Sequence, residues 1–167
     1  MPSFLDLLPL AGFAGVLATA AFEDCRRLVI PNALVLALVL LWPLELSLGR
    51  VAIAPLSVLA AVGCALFVFV VGAALFSRGL IGGGDVKLMA AAVLWTGAGG
   101  TPSLVILTGL FGGALALFLL TPLGLHLSAL RGTVLGPSDS ALEMNSVPYG
   151  LAIAAAALIV VVPPHFS

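Results

Sequence analysis

From Val51 to Ser77 the chain carries no charged side chain, and from Leu88 to Leu130 it again carries none. Runs of this kind leave little choice of fold. A hydrocarbon layer about 30 Å thick takes roughly 20 residues of helix to cross, and inside it every backbone N–H and C=O must be paired within the segment. The stretch from Val58 to Phe76 contains no proline and reads as one span. The stretch from Leu88 to Leu130 is long enough for two, with Gly97-Ala98-Gly99-Gly100-Thr101-Pro102 as the turn between them. Phe4 to Phe22, Ala33 to Leu48 and Pro148 to Val162 supply three more; Pro43 and Glu45 mark an interfacial end of the second of these. The expectation is an all-α integral membrane protein, a bundle of about six transmembrane helices with both termini outside.

Orientation follows from lysine and arginine, which concentrate in cytoplasmic loops. Six crossings put Arg26, Arg27, Arg78, Lys87 and Arg131 on one side and Arg50 on the other. The first group is therefore expected in the cytoplasm, in loops at about 23–32, 77–87 and 131–147. Residues 1–167 then form one polytopic membrane domain. Ala18-Thr19-Ala20 resembles a signal-peptide cleavage site, but no basic residue precedes the apolar stretch and Asp6 stands there instead, so the first segment is expected to stay.

Composition removes several function classes. At 62% hydrophobic and 8% charged, the chain is neither a soluble enzyme nor a disordered segment. A net charge of -1 offers no basic footprint for nucleic acid. Cys25 and Cys64 are far apart, and His126 and His165 have no metal-ligand spacing, so no metal and no cofactor is expected. Neither His-Glu-x-x-His nor Gly-x-Ser-x-Gly occurs. Asp6, Glu45 and Arg50 fall at outer helix ends and read as interfacial groups.

Two charged sites remain. In Glu23-Asp24-Cys25-Arg26-Arg27-Leu28-Val29-Ile30-Pro31-Asn32, a carboxylate closes the first span and Pro31 opens the next segment. In Gly82-Gly83-Gly84-Asp85-Val86-Lys87-Leu88, three glycines free the backbone just before an acid and a new helix. Taken alone, Asp85 reads equally as a helix N-cap and the first site as a solvated loop. A P-loop is excluded because no Lys-Ser/Thr pair ends the glycine run. What joins the two sites is topology, which places Asp24 and Asp85 near one surface of the membrane. Two carboxylates sharing a site cannot both ionise cheaply, so such a pair holds one proton. One acid then activates water against a peptide carbonyl while the other protonates the carbonyl oxygen or the leaving nitrogen, with no metal and no covalent intermediate.

Asp24 followed by Ile30-Pro31-Asn32, then Gly82-x-Gly84-Asp85-x-Lys87-Leu88, then Pro148-Tyr149-Gly150 before the last span, resembles the type IV prepilin peptidases, especially the short forms of tight-adherence (Flp) pilus systems. The resemblance runs in order along nearly the whole chain, and its Gly-x-Gly-Asp element is shared with presenilin-like proteases. It implies that Asp24 and Asp85 are the catalytic pair of an aspartic endopeptidase acting at the cytoplasmic side. The implied substrate is the leader of a prepilin or pseudopilin precursor, cut just before a hydrophobic helix. Longer relatives carry paired Cys-x-x-Cys motifs and also N-methylate the new terminus; the short form implies peptidase activity alone. Relatives often place a basic residue where this chain has Leu28.

Around the pair, Gly82, Gly83 and Gly84 are expected to let a substrate backbone approach, since no Cβ stands in the way. Lys87, two residues past Asp85 and off its helical face, reads as a headgroup anchor rather than a charge partner, whereas Leu88 and Met89 share that face. Arg27 reaches Asp24 only if the first helix continues that far; Pro31 and Asn32 support the loop. Tyr149 either lines the site through its hydroxyl or serves as an interfacial aromatic at a helix start. Gly109-x-x-x-Gly113 reads as packing within the bundle, with homo-oligomerisation through it left open. Two rival functions would use the same carboxylates differently: a small proton-coupled transporter, or a non-catalytic scaffold for a secretion apparatus.

Overall fold

The computed structural model describes residues 4–48, 55–121 and 147–162. All regular structure among them is helical: α1 (Phe4–Arg27), α2 (Asn32–Leu48), α3 (Pro55–Phe76), α4 (Gly83–Leu119) and α5 (Tyr149–Val161). Three stretches are long and apolar enough to cross a membrane, Leu7–Arg27, Pro55–Phe76 and Gly83–Leu119, and α2 and α5 are shorter apolar helices. The chain is an all-helical membrane protein. Arg50, His126, Arg131, His165, all but the last residue of the expected loop at 131–147 and the side chain of Asp6 lie outside the described residues.

Unbent, the 37 residues of α4 would run ~55 Å, almost twice the hydrocarbon thickness of about 30 Å. The expected turn is instead a break at a single residue. Gly97 has φ 64° and ψ -179°, with helix on both sides of it. That backbone region is open essentially to glycine alone.

Contacts show that the chain turns back there. Before the break, Trp95 stacks on Phe13 and Asp85 lies near Asp24, so residues 83–96 run antiparallel to α1. After it, Gly100 meets Val160 and Gly112 meets Tyr149, so residues 98–119 run antiparallel to α5. Gly150 lies on Asp24 while Val160 lies beside Gly100 and the break, which aligns α5 with the first arm. The second arm therefore returns to the end of the bundle where Asp85 sits.

The buried residues of α1 are Pro9, Leu10, Phe13, Leu17, Ala20, Ala21 and Asp24, a stripe running along one side of the helix whose last member is the carboxylate. Helix α5 buries Gly150, Ala152, Ile153, Ala154, Ala156, Ala157 and Val161 on more than one face and is the small-residue centre of the bundle. By contrast, α3 buries only Ala61 and Ala65 and exposes Leu66, Phe67 and Val70, as suits a peripheral helix bathed in lipid.

Association in lipid gains little from hydrophobicity, so close approach matters more. A Cβ at Gly72 would stand 2.7 Å from Val86 Cγ1, and one at Gly112 would stand 2.6 Å from Tyr149 Cε1. Phe13 and Trp95 stack with centroids 4.4 Å apart, worth about 0.5–1.5 kcal/mol beyond buried area. Trp95 Nε1 also donates to the Leu38 carbonyl at 3.0 Å.

Three expectations need correction. Helix α1 continues to Arg27 and α4 begins at Gly83, so the connections shrink to residues 28–31 and 77–82. The charges at 23–27 are not a loop: Glu23 and Arg27 pair one turn apart on the helix at 3.5 Å, and basic groups in a last turn complement the helix dipole. Gly109 and Gly113 pack against nothing within the described bundle, because the inward face of α4 carries Leu104, Thr108 and Gly112, one residue round from the glycine pair.

Candidate active site

Asp24 and Asp85 reach one place from opposite chain directions. Asp24 sits in the last turn of α1 and is 4% exposed. The helix ends directly behind it: the Leu28 amide donates to the Asp24 carbonyl at 2.9 Å, and Leu28 then turns out at φ 52°. A left-handed residue in this position terminates a helix and is unusual for a side chain other than glycine or asparagine.

Asp85 belongs to the first turn of α4, but not as its cap. The cap is Gly82, extended at φ -69° and ψ 140°, and Asp85 is the third helical residue. Its carboxylate reaches back toward the Gly82 main chain, in the direction that an acid takes in a capping box. A Cβ on Gly82 would stand 2.8 Å from Asp85 Oδ2. The other oxygen, Oδ1, is buried and has no hydrogen-bond partner among the described residues. Asp24 and Asp85 are near enough for each carboxylate to feel the other's charge.

The remaining glycines bring backbones together. A Cβ on Gly84 would stand 3.1 Å from Ile30 Cβ and 3.5 Å from the Ile30 amide nitrogen, so the 28–31 connection lies on the start of α4. Gly83 lies against the Phe76 ring at the end of α3. Pro31 accepts the Leu34 amide at 3.1 Å and so starts α2. Lys87 Nζ donates to Asn32 Oδ1 at 2.9 Å, which fastens α2 to α4 at the same level. Lys87 is exposed, Leu88 fully buried and Met89 half-buried.

Arg27 follows Asp24 on the same helix, but its guanidinium meets Glu23. Tyr149 is 40% exposed, and its ring rests on Gly112. Its neighbour in the Pro-Tyr-Gly element touches the pair directly: the Gly150 amide donates to Asp24 Oδ2 at 2.7 Å. The sequence reading missed Gly150 because a glycine brings no side-chain chemistry. The available signal was its place two residues into a helix that starts with proline, where backbone N–H groups have no partner within the helix.

A buried acid beside a half-buried one, at the meeting of α1 and α4 and with an unpartnered oxygen on the second, is an arrangement able to hold and move a proton beside a bound water. The family model of the type IV leader peptidases matches residues 11–117, which include both aspartates. The chain belongs to the type IV leader peptidase family. No curated protein and no solved structure matches it significantly. Family membership makes the chain a peptidase of the membrane, in keeping with its apolar helices.

Proposed function

We propose that this leader peptidase is an aspartic endopeptidase that removes the leader of a type IV or Flp-like pilin precursor at the cytoplasmic face. Asp24 and Asp85 share one proton between them. The ionised carboxylate takes a proton from water, whose oxygen adds to the scissile carbonyl carbon while the protonated carboxyl gives its proton to the carbonyl oxygen. Collapse of the tetrahedral gem-diol breaks the C–N bond: the protonated carboxyl gives its proton to the leaving nitrogen while the ionised one takes a proton from a diol hydroxyl, so the pair again holds one proton. The new amino terminus leaves unmethylated.

The observation that carries this reading is the meeting of two acids, distant in the chain, at one end of the bundle, Asp24 buried and Asp85 half-buried. The cytoplasmic assignment is supported by Arg26, Arg27, Arg78 and Lys87, all exposed, on the helix ends and connections that form that end. With six crossings both termini lie outside.

The test is cleavage of a synthetic precursor, leader plus hydrophobic helix, by the purified full chain in proteoliposomes, read by mass spectrometry of both fragments. The expected result is one cut between leader and helix, made when the leader is presented to the face carrying Lys87. An intact precursor under those conditions contradicts the proposal.

A further inference from the structure

The pair has a third component that lies beyond the stretch matched by the family model, which ends at residue 117. Helix α5 starts at Tyr149 behind Pro148, and its first-turn amides are among those a helix leaves without an internal partner. The Gly150 amide spends its hydrogen on Asp24 Oδ2 at 2.7 Å, in a buried setting. The approach is possible only without a side chain: a Cβ on Gly150 would lie 2.8 Å from Asp24 Oδ2 and 3.0 Å from both Cβ and Cγ. These atoms belong to a buried acid near the end of its helix, so they cannot move aside as a flexible chain end could.

The start of α5 is itself fixed from behind. Tyr149 donates its amide to the Val147 carbonyl at 2.9 Å, and its ring fills the space that a side chain at position 112 would take. Gly112, Tyr149, Gly150 and Asp24 thus form one line of contact from the returning arm of α4 through α5 to α1.

We propose that Gly150 is a positioning residue for Asp24: its amide holds one carboxylate oxygen in place, and its missing side chain admits the carboxylate. Tyr149 acts one step further back, seating α5 on Gly112 so that the amide points at the acid. The proposal rests on the reading of Asp24 as half of the catalytic pair. It adds a requirement for glycine at 150 that Asp24 and Asp85 alone do not impose.

The test compares native chain, Gly150→Ala, Tyr149→Ala and Asp24→Asn on the synthetic precursor in proteoliposomes, measuring kcat and KM separately. Gly150→Ala is expected to lower kcat by about 100-fold or more, as small misplacements of catalytic groups do, while KM stays within about 3-fold because the precursor still binds. Tyr149→Ala is expected to lower kcat by a smaller factor in the same pattern. A Gly150→Ala enzyme with native kcat, or one whose loss lies entirely in KM, overturns the positioning role even if Asp24→Asn is inactive. A native chain that cuts nothing overturns both this role and the reading beneath it.

Should Gly150→Ala fail to accumulate, the Asp24→Ala, Gly150→Ala double variant decides the matter. Removing the carboxylate removes the two contacts at Oδ2 and Cγ and leaves only the Cβ contact at 3.0 Å, so the double variant is expected to accumulate where the single does not. Failure of both to accumulate overturns the assignment.

Discussion

Lys87 Nζ stands 2.9 Å from Asn32 Oδ1, and this bond joins the two sequence motifs that carry the acids. Asn32 opens α2 just after the turn that follows Asp24, and Lys87 lies two residues beyond Asp85. A charged donor on a neutral amide is worth more than a neutral pair, but at this exposed position its contribution to stability is about 1 kcal/mol or less. Its larger effect is expected on register. Lys87→Met and Asn32→Ala should each lower kcat/KM for precursor cleavage by roughly 3- to 10-fold, with smaller shifts in melting temperature. The double variant should be no worse than the more impaired single one, because both lose the same bond. Fully additive losses would mean that the two residues act separately.

Gly97 is where the chain turns back, and its φ of 64° with ψ of -179° suits glycine alone. A Cβ there would meet no atom within 4 Å, so the cost of Gly97→Ala is backbone strain, about 1–3 kcal/mol. The variant should melt at lower temperature in detergent and lose activity in proportion to folded protein. The neighbouring Gly99 is also open, but it has no positive φ. Gly99→Ala should therefore be neutral or slightly stabilising, since alanine is the better helix former. Equal effects of the two substitutions would contradict the assignment of the turn to Gly97.

Asp85 occupies a position that favours reaction over stability. Its Oδ1 is buried without a partner among the described residues, and it faces the like charge of Asp24. Asp85→Asn removes that repulsion while keeping shape. The variant should accumulate at native levels and melt no lower than the native chain, while losing cleavage. A fall of several degrees would show that the carboxylate holds the fold together rather than serving the reaction.

The apolar helices were legible because long uncharged runs favour helix that can cross a membrane, and the acids were legible because they are among so few charges. The helix ends were read too short for the same reason. Glu23, Asp24, Arg26 and Arg27 looked like a solvated loop, although the four-residue spacing of Glu23 and Arg27 is also a helix signal, and the structure uses it. Asp85 likewise lies inside α4, as its third residue, rather than before it.

Helix faces were hidden. In a soluble protein the polar side of a helix points outward, but α1 exposes Leu8 and Phe22 as readily as it buries Leu17 and Phe13. Its inward stripe is visible only once neighbours are known. The glycine contacts were hidden as well. Gly112 and Gly113 are adjacent and identical in type, yet Gly112 carries Tyr149 and Gly113 carries nothing within the described bundle. The sequence motif Gly109-x-x-x-Gly113 therefore pointed to the wrong side of the helix.

The central claim is that Asp24 and Asp85 together cut a leader peptide. Its most direct test is to co-express a pilin precursor with the native chain, Asp24→Asn or Asp85→Asn, and to follow the precursor by its change in mass. The pair mechanism predicts mature product with the native chain and uncut precursor with either variant, at equal amounts of enzyme in the membrane. Mature product with either asparagine variant would remove that aspartate from the reaction and contradict the account.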